Sequence, residues 1–383
     1  MNHLKKTNHQ ASRESFRDSI LSPKRPSAIL ALVLMLFMLT VIVGGCTQSG
    51  DEARQQIIVE SLDEAAGQAE AGTQGQAGGG KAAGMADRAA DNNDSSEAVR
   101  EPATTIELTD MMGREIKLDA PAERIVVLAA SDCEILYAIG AGETLVGRGE
   151  YCDYPEEIFN VPSVQSGSET NIEQIIALQP QVVVMSIMSQ TKEQVAALES
   201  AGIKVVAMNA QDIESVYTAI ELLGKVVGRS AEASILINDM KTAFTDISTK
   251  AVNASASASE TETIYFEVSP LEYGIWTAGS DTFMNELAAM LGMKNAFEDI
   301  QGWGEISQEQ VIERDPDHIV TIAMYFGEGK TPVEEIMGRE GWQGIKAIKN
   351  KMVLNVDSNE ISRPGPRLTK ALSAIYEFIY EEN

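Results

Sequence analysis

The chain has 383 residues, more than one hydrophobic core usually organises, so two domains or one domain with a tail are expected. Its 57 acidic and 30 basic side chains give a net charge of −27, which excludes binding of nucleic acid or anionic lipid through the overall field. Two of the three histidines, His3 and His9, lie at the N-terminus, and the remaining His318 argues against a histidine-rich zinc or manganese site and a histidine-dependent triad.

The N-terminus has the pattern of a signal peptide. Basic residues precede an uncharged apolar run at 28–43, and two glycines and Cys46 follow it. Sixteen apolar residues are short for a helix that must cross about 30 Å of hydrocarbon, so cleavage is favoured over a retained anchor. The end of the run also resembles the bacterial lipobox. We predict a lipoprotein signal peptide at 1–45 and lipidation at Cys46.

The segment that follows predicts a tether. Residues 46–103 are rich in Gly, Ala, Gln, Glu and Asp, contain almost no aromatic residues, and include the run GGGKAAG. Such a segment cannot bury enough apolar surface to fold. Loss of the six bases and two acids of residues 1–45 lowers the net charge to −31. The protein is expected outside the cytoplasm, on the outer face of the bacterial cell membrane.

The folded part opens with a hairpin pattern around Met112-Gly113 and continues as alternating strands and helices. An apolar run at 124–130 predicts a strand buried on both faces, and Ser131 with Glu134 predicts a capping box for the next helix. Further strands are predicted at 145–149, 182–186 and 203–208, and helices at 172–178, 192–200 and 213–227. This alternation predicts a parallel sheet covered by helices, in an N-terminal lobe at 104–228.

The alternation then restarts. A long amphipathic segment at 231–252 predicts a rigid connector, within a connecting region at 229–258. Beyond it, strands are predicted at 263–268, 318–323 and 352–356, and helices at 283–291, 308–314 and 368–380. These form a C-terminal lobe at 259–383. The predicted fold class is α/β, with two lobes that contain parallel central sheets and are joined by one long helix.

One motif occurs twice in the chain. NIEQIIALQPQVVV begins at Asn171, and SQEQVIERDPDHIV begins 136 residues later at Ser307. In each copy a cap residue and a glutamine three residues on predict a capping box, which places Glu173 and Glu309 at the second helical position. A carboxylate there interacts favourably with the helix dipole by roughly 0.3–1 kcal/mol. That effect explains the chemistry of each acid but not its presence in both lobes.

The loops after the strands are the candidates for ligand contact. In α/β sheets ligands gather beyond the carboxyl ends of strands, and a cleft between two domains is a favoured site. These loops hold many of the chain's aromatic rings, which suit a bulky planar ligand, although we expect about half of the rings to be core. The residues predicted to bind ligand are Asp132, Tyr151, Asp153, Tyr154, Trp303, Tyr325 and Arg363.

Two of these residues, and one pair of cysteines, have particular settings. Trp303 lies between two glycines and is the least core-like ring. Arg363 precedes Pro-Gly-Pro, a stiff turn that orients its guanidinium either for a ligand carboxylate, phosphate or amide oxygen or for an ion pair that anchors the turn. Cys133 and Cys152 are the only cysteines of the folded part, and form either a disulfide, which export permits, or two buried thiols.

The sequence contains no nucleophile motif, glycine-rich phosphate loop, CxxC or HExxH. Enzymatic function therefore has no positive support, and we expect a protein that is not an enzyme and has no cofactor. An acid pair such as Glu150 and Asp153 could in principle serve as acid and base.

Several of these segments together resemble a known family, the class III extracytoplasmic solute-binding proteins of ABC importers for cobalamin, haem and ferric siderophores. The resemblance begins near Thr104 and reaches the C-terminus. It rests on DMMGREI, PAERIVVLA, SDCEILYAIGAGETLVGRGEYCDYPEE, NIEQIIALQPQVVV, GIKVV, WGEISQEQVIERDPDHIV and ISRPGPRL. It implies two α/β lobes, a shallow cleft and little closure. It also implies that Glu173 and Glu309 dock on arginines of a dimeric permease that works with ATPase subunits.

The resemblance also orders the ligands. The segments CDYP and SRPGPR are most similar to those of cobalamin binders, so the bound ligand is expected to be cobalamin, with a ferric siderophore next and haem third. Met188, Met324 and Tyr325 are the iron ligands that the loops offer to haem. Two alternatives stay open: an exported enzyme like the tetrapyrrole metal chelatases, and a surface lipoprotein that binds without transport. A monomer attached to the membrane only by its lipid is expected.

Overall fold

The structure, a computed structural model, describes residues 105–186, 191–256 and 260–381. The signal peptide predicted at 1–45, the lipidation predicted at Cys46, the tether predicted at 46–103 and Met188 lie outside the described residues. Within them, no helix is both long enough and apolar enough to cross a membrane.

The described chain begins with the predicted hairpin, formed by β1 (Ile106–Thr109) and β2 (Glu115–Leu118), which pair antiparallel. A five-stranded sheet follows, and its strands are β3 (Ile125–Val127), β4 (Leu145–Gly149), β5 (Ser163–Val164), β6 (Val182–Ser186) and β7 (Lys204–Met208). They lie in the order β5-β4-β3-β6-β7, and every neighbouring pair is parallel. The central strands β3 and β6 are apolar along nearly their whole length because helices cover both faces of the sheet.

The helices of this first lobe are α1 (Ala130–Ala138), α2 (Ile172–Ala177), α3 (Lys192–Ser200) and α4 (Ile213–Val226). Short 3₁₀ turns at Gly142–Thr144, Glu156–Asn160 and Gly167–Glu169 complete its connections. The predicted capping box of α1 is wrong. Helix α1 starts at Ala130 with Ala129 as its N-cap, so Ser131 is already inside the helix and Glu134 is free to point elsewhere.

The predicted connector is the 26-residue helix α5 (Ser230–Ser255). Its buried residues recur at helical spacing, which gives one apolar face. They are Ala233, Met240, Phe244, Ile247 and Ala251. This face packs against α4 of the first lobe and against α6 (Phe283–Met290) and α11 (Leu368–Tyr380) of the second. The three helices and α5 contribute to one continuous apolar cluster that extends through both lobes.

The second lobe contains a mixed sheet. Its strands are β8 (Thr263–Glu267), β9 (Ile275–Ala278), β10 (Lys294–Asn295), β11 (Trp303–Ile306), β12 (His318–Thr321) and β13 (Val353–Asn355). The order is β11-β9-β8-β12-β13, with β10 paired to β8. Pairings of β8, β12 and β13 are parallel, as predicted. The short strand β10, which was not predicted, is also parallel to β8, whereas β9 runs antiparallel to β8 and β11. The predicted fold class of two α/β lobes joined by a long helix is confirmed.

The remaining helices of the second lobe are α7 (Gln308–Arg314), α8 (Pro332–Met337), α9 (Lys346–Lys349) and α10 (Ser358–Ile361), with 3₁₀ turns at Leu271–Tyr273 and Trp342–Gly344. The lobe boundaries predicted at 104–228, 229–258 and 259–383 stay a prediction.

The repeated motif produces the same local structure in both lobes. Helices α2 and α7 lead into β6 and β12, and each of these strands lies between two parallel neighbours. The residues before the two motif prolines, Gln179 and Asp315, have nearly equal left-handed φ angles of 50° and 47°. Ser307 forms the complete capping box, whereas the box predicted at Asn171 is only half formed, because the Asn171 N–H donates to the carbonyl of Gln165 and the Gln174 side-chain oxygen accepts from the Gln165 N–H.

Candidate functional site

An arginine of the second lobe is hydrogen-bonded to two acids of the first. Arg363, in the turn between α10 and α11, donates from Nη1 to Glu134 Oε1 at 2.9 Å and to Asp153 Oδ1 at 2.6 Å. Its Nη2 donates to the carbonyl oxygen of Tyr151 at 3.4 Å. Arg367, one turn further on, donates to both carboxylate oxygens of Glu134, at 2.8 and 2.6 Å. These five residues form what we call the interlobe network.

The two acids of the interlobe network differ in burial. The Glu134 side chain is 2% exposed and is shared by two arginines, whereas the Asp153 side chain is 43% exposed. Burial acts against the charge of Arg363, but hydrogen bonds to Asp153 and Glu134 outweigh it and raise the pKa of the guanidinium. The pKa of Arg367 is raised in the same way by Glu134. Both arginines are therefore charged, and Asp153 is the partner that a ligand can most easily replace.

Aromatic rings border the interlobe network on the side of the first lobe. Tyr151 and Tyr154 flank Asp153 in the loop after β4, and both rings are exposed. The Tyr154 ring lies against Arg367, whose guanidinium carbon is 4.3 Å from the ring centroid, and Lys370 Nζ lies 5.9 Å from the same centroid. These two cations hold the orientation of the exposed Tyr154 ring.

Trp303 is placed by a second contact between the lobes. It packs edge-on against Phe283, with ring centroids 5.7 Å apart, and is half-buried against the shared core. The backbone N–H of Phe283 donates to the carbonyl of Gln211 in the first lobe at 3.0 Å. Trp303 is therefore near the interface of the lobes, as a ligand contact requires, but it is more core-like than its flanking glycines predicted.

Tyr325 belongs to an exposed apolar loop that follows β12. Met324, Tyr325 and Phe326 are all exposed, and Phe326 is 82% exposed. The Tyr325 hydroxyl donates to the carbonyl of Gly329 at 3.5 Å, within the same loop. The contacts of the described residues do not join Tyr325 to the interlobe network, so its predicted part in ligand binding stays a prediction. Three adjacent solvent-facing apolar side chains are nevertheless typical of a binding surface.

Asp132 is the predicted ligand residue that does not reach the surface. It lies in the first turn of α1, is buried, and its Oδ2 atom has no hydrogen-bond partner among the described residues. Burial raises the pKa of this carboxyl to about 7. The Asp132 side chain is withdrawn from the surface and shares α1 with Glu134, and its predicted part in ligand binding stays a prediction.

Cys133 and Cys152 lie together beneath the interlobe network. Both are buried free thiols, and their Sγ atoms are 2.8 Å apart. Cys133 follows Asp132 in α1, and Cys152 lies between Tyr151 and Asp153. The proximity that a disulfide requires is therefore present, while the disulfide, which the sequence analysis set against two buried thiols, stays a prediction.

The repeated acids lie on the surface, with an isoleucine beside each. Glu173 and Glu309 are exposed at the second position of α2 and α7. Hydrogen bonds from its own backbone and from Ser307 lower the pKa of Glu309. Three residues further on, and so on the same helix face, Ile176 and Ile312 are 38% and 40% exposed. Each lobe thus presents an acid and an isoleucine in the same arrangement.

The part of the chain that the structure describes contains no group of three or more His, Cys, Asp or Glu side chains that could hold a metal ion. His318 is buried at the first residue of β12, with its Nε2 2.8 Å from a carboxylate oxygen of Glu262. This is the amino end of the strand, opposite the edge at which the ligand loops gather.

Glu134 and Arg367 are the site residues that the sequence analysis missed. Glu134 was assigned to a helix cap, yet it is a buried acid within the apolar run CEILYAIG, and an acid at a core position of a helix requires a partner. Arg367 closes the segment SRPGPR, four residues after Arg363. The four-residue spacing of Arg363 and Arg367 across this turn is the feature of the sequence that could have indicated two guanidinium groups binding one acceptor.

Comparisons with known proteins agree with this architecture. A family described as periplasmic binding protein matches residues 125–360. YvrC of Bacillus subtilis, an uncharacterized ABC transporter substrate-binding lipoprotein, is 34% identical over 296 residues, which cover 76% of this chain and 91% of YvrC. A vitamin B12-binding protein of Vibrio parahaemolyticus is 25% identical over 258 residues, 67% of this chain and 89% of its own.

A solved structure shows the same fold. A possible iron-binding (periplasmic solute-binding) protein from Staphylococcus epidermidis is 31% identical, covers 68% of this chain and 99% of its own, and superposes with a TM-score of 0.57. The family match includes both lobes and the connecting helix, and the two-lobed structure agrees with it. The chain therefore belongs to the periplasmic binding protein family, among the class III solute-binding proteins of ABC importers.

Proposed function

We propose that the mature protein is a lipid-anchored extracytoplasmic binding protein that captures a corrinoid or an iron complex and delivers it to an ABC permease dimer. Cobalamin is the favoured cargo, a ferric siderophore the next and haem the third. The observation that carries the proposal is the interlobe network, in which a charged Arg363 and exposed tyrosine rings lie at the carboxyl edge of the first sheet.

The chemistry of the interlobe network suits a large planar ligand with polar groups on its rim. Tyr151 and Tyr154 supply flat apolar faces, and Arg363 supplies several N–H donors in a fixed plane. The exposed Asp153 can exchange its hydrogen bond for a ligand amide or carboxylate oxygen without leaving Arg363 uncharged or unsatisfied, because Glu134 still holds the guanidinium. A corrin ring, with amide groups around its edge, meets both requirements.

The order of ligands has two further supports. A relative with a quarter of its residues identical is a vitamin B12-binding protein, and the structure from Staphylococcus epidermidis is named as a possible iron-binding protein. Haem is placed third because a haem iron with an unfilled coordination position needs a histidine, methionine or tyrosine ligand. The one histidine left in the mature chain is buried away from the loops. Met324 and Tyr325 are the remaining candidates in the described loops.

Delivery to the permease is supported by the two acid–isoleucine patches. A partner with two equivalent halves needs an equivalent contact on each lobe, and the patches at Glu173 and Glu309 repeat at an interval of 136 residues. An acidic protein also attracts a basic partner over a distance of about one Debye length. We propose that each glutamate meets a base of one permease subunit while Ile176 and Ile312 enter apolar pockets beside it. ATPase subunits complete the importer.

Two other functions remain as rivals. A chelatase-like enzyme needs a metal-handling histidine or acid cluster in the cleft, and His318 lies at the opposite edge of its sheet. A surface lipoprotein that binds without transport shares the cargo site but has no use for two matching docking patches. The importer component is therefore the function that the geometry supports best. We propose it as a monomer with no enzymatic activity and no resident cofactor.

Calorimetric titration of the purified full chain tests this proposal. Cyanocobalamin, haemin and a ferric hydroxamate are titrated in parallel, and tryptophan fluorescence is followed as a second signal. We expect micromolar or tighter binding, about −8 kcal/mol, for cyanocobalamin, and weaker binding for the other two. Tighter binding of the hydroxamate or haemin would assign a different cargo to the protein and leave its proposed role as an importer component unchanged. Absence of binding to all three would overturn the capture of corrinoid and iron complexes.

A further inference from the structure

Two buried thiols lie side by side in the first lobe. Cys133 lies in the first turn of α1, and Cys152 lies in the segment 150–155 that follows β4, which we call the tyrosine loop. Their Sγ atoms are 2.8 Å apart, and each lies 4.0 Å from the carbonyl oxygen of Val127. A movement of less than about 1 Å brings the sulfurs to the bonding distance of about 2.05 Å. The backbone therefore already has a geometry that a disulfide can adopt.

Each cysteine is a sequence neighbour of an acid in the interlobe network. Glu134 follows Cys133, and Asp153 follows Cys152. Arg363 donates to both acids from the same Nη1 atom, so the spacing between α1 and the tyrosine loop decides whether both hydrogen bonds can form at once. A covalent link between the cysteines would fix that spacing.

The backbone of the tyrosine loop is tied to its own lobe by short-range hydrogen bonds. The N–H of Cys152 donates to the carbonyl of Gly149, and Arg148 Nη1 donates to the carbonyl of Cys152 at 2.9 Å. Gly149 itself lies against the backbone of Leu128, directly after β3, where an added Cβ would overlap the Leu128 carbonyl oxygen. These contacts hold the start of the loop, whereas its exposed far end, with Asp153 and Tyr154, is held through the arginines of the other lobe.

We propose that the exported protein carries a Cys133–Cys152 disulfide, which holds the tyrosine loop against α1 independently of the second lobe. Extracytoplasmic compartments allow such bonds to persist. The loop then keeps its shape when a ligand displaces Asp153 from Arg363. This inference concerns the covalent chemistry of the chain and does not depend on the identity of the cargo.

The bond forms by exchange with an exported thiol–disulfide oxidase. One cysteine thiolate attacks a sulfur of the oxidase disulfide and gives a mixed disulfide and an oxidase thiolate. The second cysteine thiolate then attacks the cysteine sulfur of that mixed disulfide, and the oxidase leaves as its second thiolate. The two cysteine protons are taken up by the oxidase thiolates, so the protein loses two hydrogens and the oxidase gains them.

The burial of the two thiols determines at which stage of folding the disulfide forms. Desolvation, together with Cys152 and Asp132, raises the pKa of the Cys133 thiol, while Arg148 acts in the opposite direction. A thiol that stays protonated in the folded lobe is a poor nucleophile. The exchange therefore occurs during folding after export, and the buried bond then resists small thiol reductants.

Peptide mapping of the full chain tests whether the bond exists. The protein is isolated from the membranes of an exporting bacterial host, denatured in N-ethylmaleimide without reductant, digested and analysed by mass spectrometry. We expect one peptide that links Cys133 to Cys152 and is lighter by two hydrogens than the sum of its parts. A parallel sample reduced first should carry maleimide on both residues. Maleimide on both residues in the unreduced sample would overturn the proposal.

Hydrogen exchange of the full chain tests what the bond does. Wild type is compared with Cys133→Val/Cys152→Ala, which keeps the site apolar, and with Cys133→Ser/Cys152→Ser. In both variants we expect amides of the tyrosine loop to exchange about tenfold faster and the unfolding midpoint to fall by roughly 5 °C, while the exposed loop at 324–329 exchanges as in wild type. Unchanged protection of the tyrosine loop in the Val/Ala variant would show that the bond does not hold it.

Discussion

Arg363 and Glu134 lie 229 residues apart in the chain and share a hydrogen bond of 2.9 Å across the two lobes. Both side chains are largely withdrawn from solvent, and Arg367 approaches the same carboxylate from the next turn. When a carboxylate binds two guanidinium groups, their attraction can offset the free-energy cost of burying its charge. A single ion pair on the surface contributes much less to stability. The relationship therefore stabilises the arrangement of the lobes as well as orienting Arg363 for a ligand.

Removal of the buried acid should destabilise the protein far more than removal of the exposed one. Glu134→Gln removes the carboxylate that Arg367 binds and leaves Arg363 with Asp153 as its charged partner, and breaking a buried pair in this way costs about 3 kcal/mol of the free energy of unfolding. The matched control Asp153→Asn removes an acid from the same guanidinium, but its side chain is 43% exposed, and a loss below about 1 kcal/mol is expected. Urea unfolding of the three proteins measures both values. Equal losses would show that burial does not separate the two acids.

The buried carboxyl of Asp132 predicts a pH-dependent stability. Its pKa is raised by burial from 3.8 to about 7, so the folded protein holds a proton that the unfolded chain releases above about pH 4. The contribution of Asp132 to stability therefore falls as pH rises from 4 to 7 and is constant above 7, where the cost is on the order of 4 kcal/mol. Asp132→Asn should match wild type near pH 4 and be more stable at pH 8.

The measurement for Asp132 is the difference in unfolding free energy between variant and wild type at several pH values. This difference cancels the titration of the other acids, which are the same in both proteins. A difference that does not change between pH 4 and pH 8 would contradict a raised pKa at this position. Glu267 of the other lobe is also buried, but it is hydrogen-bonded to Arg339 at 2.6 and 2.7 Å. It is the paired acid with which the unpaired Asp132 can be compared.

Arg363 should affect ligand affinity and stability together. Arg363→Gln removes the hydrogen bonds to Glu134 and Asp153, so the free energy of unfolding should fall by about 2 kcal/mol and the affinity for cyanocobalamin by about tenfold. Arg314→Gln is the control, because Arg314 pairs with Asp299 within the second lobe, outside the interlobe network and the tyrosine loop, so affinity should stay unchanged. Calorimetry and urea unfolding give the two numbers. Loss of stability without loss of affinity would assign Arg363 to the ion pair alone.

The fold was predictable because most of its signals are local. Central strands such as β6 are continuous apolar runs, and cap residues such as Ser307 and Asp212 mark their helices directly. The antiparallel β9 and β11 were missed because IWTA and WGEI are only four residues long and show neither alternation nor a continuous apolar run; β11 forms the edge of the sheet and β9 lies next to it.

The site was predictable only in part, because its partners are distant in sequence. Arg363 and Asp153 were found from their loops, but the ion pair joins residues 210 positions apart, and nothing local indicates it. Glu134 satisfied the pattern of a helix cap, and that local explanation concealed its role as the shared acceptor. The core-like setting of Trp303 likewise depends on Phe283, which only the folded chain brings beside it.

The two acid–isoleucine patches should act together in docking. The double variant Glu173→Lys/Glu309→Lys reverses both charges, and the double variant Ile176→Ser/Ile312→Ser removes both exposed apolar side chains. Each double variant should abolish or strongly reduce uptake of cargo by whole cells, because both subunits of the permease lose a contact. Affinity for the cargo should stay unchanged, since the patches lie on α2 and α7, outside the interlobe network. The control Ile235→Ser/Asp239→Lys makes the same kinds of change on the exposed face of α5 and should transport normally. Full uptake by the charge-reversed variant would remove permease docking from these glutamates and leave the helix dipole as their only role.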